Sequence, residues 1–213
     1  FIFLGSSCAY PKFAKQPIKE ESLLTGPLET TNRPYAIAKI AGIEMCAALN
    51  RQKNKKFLSV MPCNLYGPND NYDLMNSHVL PALIKKIYLA KTKNDKKVEL
   101  WGSGKPLREF MHVDDLSRAI IFILKLKKKN YEDLILSNNF SLINVGSGEE
   151  ISIKDLAKKI SKIIGFTGQI KFNKEFPDGT PRKVLNINKM KKLGWKYKID
   201  LDRGISEVYN NFI

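Results

Sequence analysis

The sequence predicts an α/β fold built on a parallel sheet. Short apolar runs of strand length recur, as at residues 1–4 and 57–62. Between them lie longer segments whose apolar residues repeat at helical spacing. Strands that alternate with helices imply parallel strands joined by crossovers.

Each element follows from its own residues. Phe1, Ile2, Phe3 and Leu4, closed by Gly5, read as a buried strand. It has no Met and no lead-in, so the chain reads as part of a longer one, cut inside a fold. Residues 33–52 read as a helix opened by Thr31, Asn32 and Pro34, because proline suits a first helical turn. Residues 57–62 are a second buried strand. Residues 78–91 place Val79, Leu80, Leu83, Ile84 and Ile87 on one helical face. Residues 98–101 and 109–113 read as short strands around a glycine-rich turn. Residues 114–128 read as an amphipathic helix capped by Asp114 and Asp115, and 143–146 as another strand. Residues 153–164 are helical, with Leu156, Ala157, Ile160, Ile163 and Ile164 apolar. A strand, a loop and one or two helices complete residues 165–213.

The length of 213 residues suits one domain or two closely joined lobes. No run approaches the roughly 18 apolar residues of a membrane helix, so no membrane is expected. The three cysteines, Cys8, Cys46 and Cys63, show no metal spacing, and a reducing, cytoplasmic setting is expected. The formal net charge is +15, from 36 Lys plus Arg against 21 Asp plus Glu. Only 6 of those cations are Arg, and the lysines are scattered. Base readout favours Arg, whose planar fork matches base edges. The charge therefore reads as solubility with some pull on an anionic ligand, and no nucleic acid is expected.

A serine, a tyrosine and a lysine form the first chemical constellation. Between Tyr35 and Leu49 only Lys39 and Glu44 are charged. A lysine on so apolar a helix needs a partner or a task. Tyr35 lies four residues earlier, about 40° away around the helix. A free phenol is a poor base near neutrality, and a neighbouring ammonium favours its phenolate. Such a pair suits proton transfer between a carbonyl and an alcohol. Alone it is common by chance. Ser6 stands just past the first strand, where open α/β sheets bind ligands, and could donate to a substrate oxygen. A plain turn is the bland alternative for Ser6 by itself.

The runs Gly5-Ser6-Ser7-Cys8-Ala9-Tyr10-Pro11, Tyr35-Ala36-Ile37-Ala38-Lys39, Asn64-Leu65-Tyr66-Gly67-Pro68, Asn76-Ser77-His78-Val79, Trp101-Gly102-Ser103-Gly104, Arg108 to Asp115 and Asp178-Gly179-Thr180-Pro181-Arg182-Lys183 span most of the chain. In them the sequence resembles the extended short-chain dehydrogenase/reductases that act on nucleotide sugars. Within these it resembles the members that make GDP-L-fucose. The resemblance implies the C-terminal half of a Rossmann-type parallel sheet plus a smaller α/β substrate-binding lobe. Residues 1–64 would form the catalytic half, returning at about 109–145, and 65–108 with 146–213 mainly the lobe. It implies NADPH-dependent 3,5-epimerisation and 4-reduction of GDP-4-keto-6-deoxy-D-mannose by a homodimer. Tyr35 would protonate the C4 oxygen, Lys39 would hold the nicotinamide ribose, and Ser6 would bond the keto oxygen. Cys8 and His78 would be the epimerisation base and acid, a pair that reduction alone does not need. Tyr35, Lys39, Asn64 and His78 would contact NADP(H), and Lys86, Trp101, Arg108 and Lys183 the GDP-sugar. Cys46 and Cys63 read as structural, and His112 as core or cap.

One departure stands against these matches. A dinucleotide fold opens on a glycine-rich strand-turn-helix that holds the pyrophosphate, and these residues contain none. Two alternatives stay open at this point. One is a 4-epimerase or dehydratase of the same family, although dehydratases usually carry acidic residues where Ser7 and Cys8 stand. The other is a non-catalytic paralogue that binds sugar nucleotide.

Overall fold

A computed structural model describes residues 1–213. In chain order the elements are β1 (Ile2–Leu4), α1 (Arg33–Lys53), β2 (Leu58–Pro62), β3 (Asn64–Tyr66), α2 (Val79–Thr92), β4 (Lys97–Trp101), β5 (Leu107–His112), α3 (Val113–Leu124), α4 (Lys128–Leu136), β6 (Leu142–Val145), β7 (Glu150–Ser152), α5 (Ile153–Ile164), β8 (Gln169–Asn173), β9 (Arg182–Lys183), α6 (Asn188–Lys192) and α7 (Leu201–Phe212). The fold is mixed α/β with parallel strands, as the alternation predicts.

The chain forms two compact units. The first holds Phe1–Leu65, Glu109–Glu149 and Lys183–Lys198. Its parallel sheet runs β1-β2-β6, with Phe3 opposite Ser59 and Val60 opposite Ile143. Every residue of β2 and β6 is buried, the polar Ser59 and Asn144 included, as suits strands covered on both faces. Helix α1 carries Pro34 in its first turn and ends at Asn54, whose left-handed backbone (φ 47°) lets its N–H reach the Leu49 carbonyl. Its buried face is Ala36, Ile40, Ile43, Cys46 and Ala47.

The second unit holds Tyr66–Arg108, Glu150–Arg182 and Ile199–Ile213. There β4 and β8 pair in parallel, Val98 opposite Ile170 and Leu100 opposite Phe172. Helices α2, α5 and α7 complete it. The Ser152 hydroxyl caps α5 by accepting from the Asp155 N–H, and Gly165 (φ 75°) ends it. The short strands β3, β5, β7 and β9 lie where the chain passes from one unit to the other.

Two expected boundaries move. Residues 114–128 are not one helix: α3 stops at Leu124, and a separate α4 follows. The cap of α3 is His112, whose Nδ1 accepts from the Asp114 N–H at 3.2 Å. Asp114 and Asp115 lie within the first turn, where carboxylates favour the helix dipole.

Candidate active site

In the first unit, β1 ends directly at the chemistry. Gly5 is buried, its N–H donating to the Val60 carbonyl at 2.8 Å. A Cβ there would press on Ile43, Met61 and Val60 at 3.3 Å, so any larger residue makes its neighbours give way where the chain leaves β1 beside β2. Ser6 then caps a 3₁₀ turn, Ser7–Ala9, by accepting from the Cys8 N–H at 3.3 Å. That bond uses a lone pair of Ser6 Oγ and leaves its O–H free to donate. Cys8 is half-buried on the same turn.

Tyr35 sits in the first turn of α1, 50% exposed, and its hydroxyl makes no hydrogen bond within the chain. Lys39, one turn on, places Nζ 5.6 Å from the centre of the Tyr35 ring and 5.5 Å from that of Phe3. The same ammonium donates to the Leu4 carbonyl at 2.9 Å. It is thus anchored to the end of the strand that delivers Ser6, with two further N–H donors available. Those donors, the exposed phenol and the Ser6 hydroxyl are the polar groups this end of β1 and α1 offers.

Three more groups of this unit bear on the site, and Lys183 touches the turn itself. Lys183 Nζ donates to Cys8 Sγ at 3.5 Å. Asn64 donates an amide N–H to the Glu109 carbonyl at 2.8 Å, which leaves its Oδ1 for a ligand. The Glu109 carboxylate is fully buried and accepts the N–H groups of Gly148 at 2.6 Å and Leu185 at 2.8 Å. A side chain on Gly146 would collide with that carboxylate. Sequence reasoning gave Glu109 no role, although a carboxylate beside an apolar strand is the kind of residue that needs buried donors.

The second unit holds His78 and three of the expected substrate residues. His78 is exposed at the N-cap of α2. Trp101 closes β4, 51% exposed, with Phe176 stacked on it at 4.6 Å and 11°. Lys86 Nζ lies 4.2 Å from the Trp101 ring centre. Desolvation pushes the Lys86 ammonium down, with the Glu99 carboxylate pulling the other way. Gly102 (φ 81°) turns the chain so that Ser103 gives its N–H and O–H to Asp178 at 2.6 and 2.7 Å. Those bonds hold the Asp178 carboxyl below its ordinary range, helped by Lys105 and Arg108. Arg108 lies near the same loop, its Nη2 3.8 Å from where a Gly179 Cβ would stand. Phe176 and Asp178 were given no role from sequence, although Asp178 lies in one of the quoted motifs.

The remaining thiols are unsuited to proton transfer. Burial pushes both Cys63 and Cys46 up, and the Glu109 charge adds to the effect at Cys63. His112 is fully buried and serves as the cap of α3. No group of three His, Cys, Asp or Glu could hold a metal ion, and no helix is long and apolar enough to cross a membrane.

A probable GDP-L-fucose synthase 1 from Oryza sativa subsp. japonica is 50% identical over 212 residues, covering all of this chain and 62% of the rice protein. GDP-L-fucose synthase of Escherichia coli K12 is 48% identical over 215 residues, again covering all of this chain and 66% of the bacterial protein. The chain thus spans less than two thirds of the length of these relatives. A crystal structure of GDP-L-fucose synthetase from Naegleria fowleri bound to NADP superposes with a TM-score of 0.86 at 29% identity, over 99% of this chain and 65% of that one. The NAD dependent epimerase/dehydratase family matches residues 1–137, and the chain belongs to that family.

Proposed function

We propose that the protein carrying this chain converts GDP-4-keto-6-deoxy-D-mannose to GDP-L-fucose, by epimerisation at C3 and C5 and NADPH-dependent reduction at C4. The observation that carries this reading is the 3₁₀ turn after β1. It holds a hydroxyl for a ketone oxygen and, two residues on, a thiol, in the same unit as Tyr35 and Lys39. A simple reductase has no use for the thiol. The names of the relatives point the same way.

Bound NADPH would supply hydride to C4. Tyr35, Lys39, Asn64 and His78 are the residues assigned to hold it, the last two from the resemblance. Tyr35 gives its phenolic proton to the C4 oxygen, and Lys39 balances the phenolate that remains. Ser6 donates to the same oxygen and so also steadies the enolate formed during epimerisation. By the resemblance, Cys8 is the base that takes the proton alpha to the ketone and His78 the acid of the same epimerisation. Lys86, Trp101 and Arg108 take the GDP moiety, Arg108 through bidentate contact with phosphate oxygens. The working protein is a homodimer in the cytoplasm, a setting that suits three free thiols.

The test runs two readouts side by side: deuterium uptake at C3 and C5 in heavy water, and NADPH consumption. Cys8→Ser should block exchange while NADPH still binds. Tyr35→Phe should leave exchange intact and cut reduction by about 10² or more. Wild-type exchange rates in Cys8→Ser would overturn the assignment of the thiol.

A further inference from the structure

The resemblance assigns Lys183 to the substrate, but its contact within the chain is with Cys8. The Lys183 ammonium donates to Cys8 Sγ at 3.5 Å, across 175 positions of sequence. It forms no ion pair with any carboxylate, and Cys8 is its one side-chain partner. Arg182, the neighbouring cation of the same motif, is engaged by Glu150 at 2.7 and 3.0 Å.

The segment bearing Lys183 is clamped. The Val184 N–H donates to Gln16 Oε1 at 3.0 Å, and the Ile18 N–H to the Val184 carbonyl at 2.8 Å. The Leu185 N–H donates to the buried Glu109 carboxylate at 2.8 Å, and the Asn186 N–H to the Ile18 carbonyl at 2.8 Å. Gln16 and Ile18 belong to the loop that leaves Cys8. The backbone that carries Lys183 is therefore tied to the stretch of chain that follows the thiol. A lysine needed only for a diphosphate would gain nothing from facing sulfur.

We propose that Lys183 is a positioning residue for Cys8, the fixed countercharge of its thiolate in proton transfer at carbon. This rests on the proposed epimerisation and names the group that supports it. As thiolate, Cys8 takes the proton alpha to the ketone. The C–H bond breaks and S–H forms, and the electron pair moves onto the C4 oxygen as enolate. An acid returns a proton to carbon from the other face, and the thiol releases its own proton to solvent. Lys183 keeps all of its protons throughout, so each inversion is redox-neutral.

The experiment uses the intact protein with Lys183→Met and Lys183→Arg, and Lys183→Gln should the first not fold. Three quantities are read: deuterium exchange at C3 and C5 under saturating GDP-sugar, the Kd for GDP, and the rate of iodoacetamide alkylation at Cys8 by peptide mass spectrometry. Lys183→Met should slow exchange and Cys8 alkylation each at least tenfold, with the Kd for GDP within threefold of wild type. Lys183→Arg should restore most of both rates. Unchanged alkylation in Lys183→Met overturns the proposal. So does a tenfold weaker GDP affinity with saturated exchange at the wild-type rate, which would make Lys183 a phosphate ligand. If the wild-type protein exchanges no deuterium, the epimerase reading fails, and alkylation alone decides the Lys183–Cys8 pairing.

Discussion

Tyr10, two residues beyond Cys8, is buried, and its hydroxyl donates to Asn144 Oδ1 at 2.6 Å. Asn144 in turn donates its amide to the Ile18 carbonyl at 2.9 Å and its backbone N–H to Glu20 Oε1 at 3.0 Å. This network pins the loop that leaves the Ser6–Cys8 turn. Burial pushes the Tyr10 phenol well above 10.0, and the Glu20 charge adds to it. The phenol therefore stays protonated in the folded protein at pH values where the unfolded chain ionises. Stability is intact below about pH 10 and falls as pH rises from there toward the folded value. Tyr10→Phe leaves a buried acceptor without its donor and should cost about 1–3 kcal/mol at pH 7. It should also flatten the alkaline loss, since nothing at that site then ionises. Urea melts of both proteins between pH 8 and 11 measure this, and parallel losses would exclude Tyr10 as the cause. Ser6, Tyr35 and Lys39 can be proposed from sequence because the chemistry suggested for them lies in local spacing. The partners Leu4 for Lys39 and Cys8 for Lys183 cannot, because only the folded chain brings them together.

Helix α1 rests on β1 through Gly42, where a Cβ would fall within the Phe3 ring. The glycine costs about 1 kcal/mol of helix propensity against alanine. Close approach outweighs that here, because the same Phe3 ring lies beneath the Lys39 ammonium. Gly42→Ala should therefore destabilise, by about 1–2 kcal/mol once overpacking is set against propensity. It should also lower the proposed NADPH-dependent reduction by displacing Phe3 under Lys39. A stabilised variant in thermal melts would mean that the ring yields freely. Elements with strong periods were readable: the 153–164 helix is α5 to the residue, because its apolar face is unbroken. Helix α4 was missed because only Leu134 and Ile135 are buried in it and its start lies in a run of lysines. The register of β4 on β8 was equally hidden, since pairing 72 residues apart leaves no local mark.

At the scale of the whole molecule, the parallel sheet and helices follow from the alternation of elements, while the return of Lys183–Lys198 to the first unit carries no sequence signal. What the fold leaves uncovered is more telling. Along α1, Ile37 is 48% exposed and Met45 64%, with exposed Ala41 between them. Positions four apart on a helix share one face, so these residues form an apolar stripe. The opposite face of the same helix carries Ile40 and Ile43 into the core. A stripe of this kind suits a helix packed against a symmetry mate, since a two-fold axis brings the same patch from both copies together. For the proposed homodimer, α1 is then the contact to break. Met45→Glu places a carboxylate on that stripe at its most exposed apolar residue, where two copies would set like charges in apolar surroundings. Sedimentation of the intact protein at about 10 µM should show the wild type as a dimer and Met45→Glu as a folded monomer, with Kd raised at least 10²-fold, or about 2.7 kcal/mol. Circular dichroism unchanged from wild type would confirm that the helix itself survives. A Met45→Glu protein that sediments as the wild-type dimer would remove α1 from the interface.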